Sequence, residues 1–288
     1  MSGRGVFYND NNPYVVGRLR RLSGAGLIDK GYVDERSIVD VRPADVAGFR
    51  QCHFFAGIGG WAAALQLAGW GQRPVWTASL PCQPFSIIGR QQGTGDSRHL
   101  WPVFSGLVRK CEPAIVFGEQ VASPLGHEWL CRVFSDFHAL GYATAGADLC
   151  AAGVGAPHIR QRFFWVAWRS DARARWVLEH ASGARLEGHA GDGNGESGPE
   201  GADTLAGRSI ATAGVFDIDP WAGAAWVECS DGKWRRLQPG LTPLVDGLPD
   251  RVGRIEAYGN AIVPQVAATF VQFVMEWFNL ESEDNERT

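Results

Sequence analysis

The chain has no Cys-x-x-Cys spacing, and no paired histidines accompany its six cysteines at 52, 82, 111, 131, 150 and 229, so no zinc or other metal site is expected. It shows no signal peptide and no long apolar run. No membrane segment is therefore expected, and the thiols should stay free in a reducing cytoplasm. Nor is positive charge in excess: 27 Lys and Arg against 31 Asp and Glu leave a net charge of −4. Blanket affinity for polyanions is thereby disfavoured, and any nucleic-acid contact must come from local basic clusters. Two clusters stand out, Arg160/Arg162 with Arg169, Arg173 and Arg175, and Lys233/Arg235/Arg236; each reads equally well as a solvated surface. Internal repeats are absent.

With 288 residues and 45% hydrophobic content, the chain can bury one substantial core and a small second lobe. Between 51 and 168, strand-like apolar runs (52–55, 75–79, 114–117, 143–149 and 162–168) alternate with helical stretches (60–68, 100–111 and 127–140). That alternation predicts an α/β fold, a doubly wound and mostly parallel sheet whose carboxyl edge binds ligands. Residues 1–50 are polar and charged, with one helical stretch around 14–23. From about 180 to 214 the chain is rich in Gly, Ala, Asp, Glu and Ser and is expected to be loosely ordered. Asp231-Gly232 then reads as a hairpin turn, and 257–280 as a turn followed by an apolar helix. The organisation expected is an N-terminal extension over 1–50 that is a candidate to complete the sheet edge, and a catalytic core over 51–170. A target-recognition region follows over 171–235, and 236–288 returns to the core.

Pro81-Cys82-Gln83-Pro84-Phe85-Ser86 follows the apolar run at 75–80. A cysteine placed just beyond a strand, with a Gly-containing loop after it, suits a thiolate nucleophile, although the hexapeptide alone also fits an inert buried cysteine. Upstream, Phe54-Phe55-Ala56-Gly57-Ile58-Gly59-Gly60 leads from an apolar run through a glycine cluster into a helix, an arrangement that offers backbone N–H groups to a cofactor.

With Gly118-Glu119-Gln120-Val121, Pro157-His158-Ile159-Arg160-Gln161-Arg162 and Gly259-Asn260-Ala261-Ile262-Val263-Pro264, these segments occur in the order seen in the DNA cytosine-5 methyltransferases, which the chain resembles from about 50 to 170 and again from 236. The resemblance implies that Cys82 adds to carbon 6 of a cytosine, turning the ring into an enamine whose carbon 5 attacks a one-carbon electrophile. Negative charge develops on the ring, so an acid at N3 lowers the barrier and a base later removes the carbon 5 proton. Glu119 takes the N3 and exocyclic-amine position; burial should raise its pKa. Arg162 supports the glutamate and Arg160 reaches the base or the loop. Phe55, Gly57, Gly59, Gly60 and Asn260, with Asp34, form the cofactor set, and Gln83, Ser86 and Arg98 face DNA. S-adenosyl-L-methionine is the implied donor and double-stranded DNA the partner. The chain is expected to act as a monomer in the cytoplasm of a bacterial or phage-infected cell. A base inside a duplex must be flipped out before the thiol reaches it.

The chain also departs from that family. Only residues 61–79 separate the glycine loop from Pro81-Cys82, too few for the two further strand units whose acids usually hold the donor. His53, Gln120, His158 and Ala261 replace the usual acid, Asn, Gln and Ser. Two remedies stay open. Asp34-Glu35-Arg36-Ser37-Ile38 resembles a displaced adenine-site unit; or the donor differs, as methylenetetrahydrofolate or formaldehyde would, giving a hydroxymethyl product. Two other classes compete, a catalytically degenerate DNA-binding regulator and an enzyme of free nucleotides.

Overall fold

The structure is a computed structural model, and it describes residues 4–81, 100–156, 158–169, 225–228, 234–237 and 259–285. Cys82, Gln83, Ser86, Arg98, Pro157, Arg173, Arg175, Lys233 and the stretch at 180–214 lie outside the described residues. The chain divides into two compact units, 1–180 with 244–288, and 181–243.

In the first unit the strands are β1 (Arg4–Asn9), β2 (Gly31–Asp34), β3 (Phe49–Phe54), β4 (Val75–Ala78), β5 (Ile115–Val121), β6 (Tyr142–Cys150) and β7 (Gln161–Arg169). They form one sheet in the order β2-β1-β3-β4-β5-β7-β6, parallel throughout except for β7, which runs antiparallel to both β5 and β6. β3 to β5 are buried almost without interruption, as expected of strands covered on both faces.

The helices are α1 (Pro13–Gly24), α2 (Pro43–Val46), α3 (Gly60–Leu67), α4 (Leu100–Cys111), α5 (Pro124–Ala139) and α6 (Pro264–Asn285). One face of the sheet packs Phe54, Trp76 and Trp165 against Phe104, Leu107, Leu130 and Phe137 of α4 and α5. The other packs Val6 and Tyr8 against Val15 and Leu19 of α1 and Ala62 of α3. The result is a doubly wound α/β sandwich. Its helix starts follow local chemistry. Asn12 caps α1 by accepting from Tyr14 N at 3.0 Å, with Pro13 in the first turn. Ser123 accepts from Gly126 N at 3.1 Å, so α5 opens at Pro124, a turn earlier than its apolar periodicity predicted.

The main departure from the sequence reading lies in the first 50 residues. Besides the expected helix, now α1, they contribute two strands that the sequence did not reveal, and these extend the sheet edge that 1–50 was a candidate to complete. β1 pairs in parallel with β3 (Phe7↔Cys52, Tyr8↔His53, Asn9↔Phe54), and β2 pairs outside it (Asn9↔Asp34). The apolar run Val6-Phe7-Tyr8 is only three residues long, which is why it carried little signal, yet all three are buried. The strand units missing between the glycine loop and Pro81 are thus present ahead of that loop, and the sheet edge is complete.

His53, noted above as a departure, is a core residue. Its ring stacks on Tyr8 at 5.1 Å, Nδ1 hydrogen-bonds Thr77 Oγ1 at 2.8 Å, and Nε2 is buried without a partner among the described residues. Burial pushes its pKa down to about 3. The unfolded chain therefore takes up a proton near pH 6.5 that the folded chain refuses until about pH 3, so this group erodes stability as pH falls through that window. In urea unfolding at stepped pH, His53→Phe is expected to flatten the slope of stability against pH there by up to about 1.4 kcal/mol per pH unit. Identical slopes for both proteins would refute this account of His53.

The basic cluster also divides. Arg162 and Arg169 lie at opposite ends of β7, and Arg169 pairs with Glu112 at 2.7 Å. In the second unit, β8 (Ala225–Glu228) and β9 (Trp234–Leu237) pair antiparallel (Ala225↔Leu237, Glu228↔Trp234) around 229–233, where a hairpin turn is predicted. Among the described residues no helix is long and apolar enough to cross a membrane, and no group of three or more His, Cys, Asp or Glu is placed to hold a metal.

Candidate active site

Register brings the predicted residues to one edge. Asp34, Asn9, Phe54, Ala78 and Gly118 are successive neighbours across β2, β1, β3, β4 and β5. All lie at the carboxyl ends of parallel strands. The switch point lies between β1 and β3, since the chain winds outward from β1 to β2 on one side and from β3 to β4 and β5 on the other. Crevices outside such a point are where doubly wound sheets bind ligands.

Directly after β3 comes the glycine loop. Phe55 (φ 51), Gly57 (φ 54) and Gly59 (φ 84) occupy the left-handed region, so the chain turns sharply before α3. Space beside Gly57 is open, with nothing within 4 Å of where a Cβ would stand. Gly60 is constrained differently. A Cβ there would meet Ile262 Cγ1 at 2.7 Å, so the segment carrying Asn260 closes against the first turn of α3. Asn260 itself is exposed.

A carboxylate that the sequence reading missed reaches this loop. Asp10, one residue past β1, accepts from Gly57 N at 3.0 Å through Oδ2 and from Asn12 N at 3.0 Å through Oδ1. Burial raises its pKa, opposed by those two backbone bonds. Its signal was available as an acid at the end of an apolar run, but the brevity of that run hid the strand. Asp34, by contrast, is engaged by Arg36: Nε and Nη2 contact its two oxygens at 2.6 to 3.1 Å, and the Arg36 backbone N–H adds 2.9 Å. Its side chain is 1% exposed.

On β5, Gly118 leaves no room for a side chain, because Trp165 of β7 lies over it; the next residue is Glu119. Glu119 Oε1 and Arg162 Nε are 2.8 Å apart. The antiparallel register explains the meeting: Arg162 sits opposite Val121, two residues from Glu119 and so on the same face. Burial raises the Glu119 pKa, with Arg162 and Arg160 opposing it. Arg160 Nε and Nη2 are buried without hydrogen-bond partners among the described residues, and burial lowers its pKa, helped by Arg162 and opposed by Glu119. Two guanidiniums and a protonatable carboxyl are therefore gathered at the sheet edge, with one guanidinium still lacking acceptors.

The chain leading toward Cys82 is tied to the same place. Trp61 Nε1 donates to Ser79 Oγ at 3.0 Å, and Gln120 Nε2 donates to the Leu80 carbonyl at 3.3 Å. Gln120 is 2% exposed, and its own Oε1 accepts from Val121 N at 2.8 Å. Where the family resemblance leads one to expect Asn, the longer side chain anchors Leu80, two residues past the end of β4 and two before Cys82.

Comparison with known proteins gives a coherent picture. A family model described as C-5 cytosine-specific DNA methylase matches residues 73–189. Among curated proteins, the type II methyltransferase M.HhaI of Haemophilus parahaemolyticus is 26% identical over 174 residues, covering 46% of this chain and 53% of that protein. M.NaeI of Lentzea aerocolonigenes is 25% identical over 248 residues, covering 72% and 60%. The chain thus spans little more than half the length of these relatives. Among solved structures, a Dnmt2 of Spodoptera frugiperda matches with a TM-score of 0.38 at 14% identity, covering 58% of this chain and 50% of that one.

Proposed function

Because the chain belongs to the C-5 cytosine-specific DNA methylase family, we propose that it transfers a methyl group to carbon 5 of a cytosine flipped from double-stranded DNA. The observation that carries this reading is the ion pair between Glu119 and Arg162 at the carboxyl edge, beside the anchored end of β4. Cys82 is the next residue in sequence after Pro81, the last described residue of that segment. Its thiolate adds to carbon 6. Glu119, its pKa raised by burial, holds a proton toward N3 as charge builds on the ring. Arg162 orients that carboxyl, and Arg160, with two donors unpaired among the described residues, binds an acceptor on the base or its backbone. A base then takes the carbon 5 proton, and the Cys82–carbon 6 bond breaks to restore the ring.

The residues at the switch point fit S-adenosyl-L-methionine, which supplies the electrophilic methyl group when bound. Open space beside Gly57 and the Asp10 carboxylate that reaches that loop from the end of β1 make a polar cradle across β3 and β1, while Asp34, one strand further out, is held by Arg36 and supports the edge from behind. Asp10 would accept from ribose hydroxyls, and Phe55, Gly59, Gly60 and Asn260 would shape the remaining wall. Gln83, Ser86 and Arg98 remain the candidates for DNA contact.

Mass spectrometry of nucleosides from DNA incubated with the full chain and S-adenosyl-L-methionine tests the reading. 5-Methylcytosine is the expected product; a heavier cytosine derivative with another donor, or unchanged cytosine, would overturn it. Asp10→Ala is expected to raise the KM for the donor by about tenfold or more, the loss of one or two charge-assisted hydrogen bonds, with DNA affinity unchanged. An unaltered donor KM would remove Asp10 from the donor site.

A further inference from the structure

A second cavity opens at the other end of the sheet. It has a volume of about 450 Å³ and lies where α2 and the last turn of α4 meet the first residues of β3 and β4. Gly57, Pro81 and Glu119 are all at the opposite, carboxyl edge of those strands, so this space is separate from the candidate active site. Its volume falls in the range of small-molecule sites, about 300 to 1,000 Å³.

The lining combines an apolar floor with charge of one sign. Phe49, Val75 and Trp76 supply the floor, and Arg50 and Lys110 the charge. Among the described residues no acid lines the space. The nearest acids in sequence are engaged elsewhere, Asp45 with Arg36 at 3.1 Å and Glu112 with Arg169 at 2.7 Å. Arg50 donates from Nη2 to Gln72 Oε1 at 2.6 Å, yet its Nε is buried with no partner among the described residues. An unsatisfied buried donor costs about 1–3 kcal/mol, and more when charged, so an acceptor delivered into the cavity would relieve it. One rim residue closes α4: Glu112, between the lining residues Cys111 and Pro113, has φ 46 and donates its N–H to the Val108 carbonyl at 2.8 Å, the αL end of a helix, which fixes where Lys110 and Cys111 stand beside the cavity.

We propose that this cavity binds a small apolar carboxylate, with its hydrocarbon body on Phe49, Val75 and Trp76 and its carboxylate between Arg50 and Lys110. The assignment goes beyond the methyl-transfer reading and does not depend on it.

Isothermal titration of the full chain with naphthalene-2-carboxylate, and with the uncharged isostere naphthalene-2-carboxamide, tests the assignment. Saturable binding of the carboxylate is expected, with the amide weaker by about fivefold or more, the share carried by charge-assisted bonds. Arg50→Gln and Lys110→Gln should each weaken the carboxylate by a similar factor and leave the amide unchanged. Lys110 is exposed on the final turn of α4, so its substitution keeps the test valid should Arg50→Gln fold poorly. No saturable binding, equal affinity for the two probes, or unchanged carboxylate affinity in Lys110→Gln would each overturn the proposal.

Discussion

Cys82→Ala is expected to eliminate methyl transfer while leaving DNA binding in place. Without the sulfur, carbon 5 of an aromatic ring has no route to enamine reactivity. Removal of a covalent nucleophile elsewhere has lowered turnover by about 10⁴-fold to 10⁶-fold. Two measurements separate this from a folding defect. On DNA carrying 5-fluorocytosine, where fluorine replaces the carbon 5 proton and cannot be abstracted by a base, the unaltered chain with donor should form an adduct stable to denaturing electrophoresis, and the variant none. In a gel-shift assay, both proteins should bind unmodified DNA with similar affinity. Residual transfer by the alanine variant, or an adduct mapped to another cysteine, would end the proposal for Cys82. Cys52 offers no substitute, since it is fully buried and its pKa is raised by burial beyond ordinary titration.

Glu119→Gln is expected to slow single-turnover transfer by about 10² to 10⁴-fold, the usual contribution of a positioned acid. The shape of the pH profile carries more information than the size of the loss. Burial raises the Glu119 pKa, so the protonated form that serves N3 persists above the ordinary carboxylate range and is lost as pH rises through the folded value. Rate should therefore show an alkaline limb in the parent protein that vanishes in the variant, whose amide does not titrate. The same sign governs stability: the folded chain prefers the protonated acid, so the carboxylate weakens the fold above that pH, and Gln removes this dependence. Activity within a few-fold of the parent, or an unchanged alkaline limb, would contradict the role given to Glu119.

How much of this was legible in the sequence depends on the length of each signal. β3, β4 and β5 were readable because parallel strands buried on both faces give unbroken apolar runs. Glu119 and Arg162 were readable as members of motifs, and the resemblance implied that Arg162 supports the glutamate; what the sequence did not display is the cause, the antiparallel register of β5 against β7 that places the arginine opposite Val121. β1 escaped notice because its three apolar residues are flanked by Arg4-Gly5 and Asn9-Asp10. A short run of that kind stabilises a strand only when a neighbouring strand is already present to receive it. With β1 unseen, Asp10 was unseen too, and the acid chosen in its place, Asp34, turned out to be held by Arg36. Gln120 looked like a defect against the family pattern; its length is what lets it reach the Leu80 carbonyl.

Parallel pairing of β1 with β3 has one last consequence. The edge built by β1 and β2 runs on into the remainder through the connection between Asp34 and Phe49, and is otherwise held by a ladder of backbone hydrogen bonds and by side-chain packing such as Tyr8 on His53. A polypeptide cut in that connection would separate Asp10 from the cysteine-bearing portion. The two fragments, mixed in solution, should reassemble along the ladder, making this fold a natural candidate for a split enzyme whose cofactor affinity returns only on complementation.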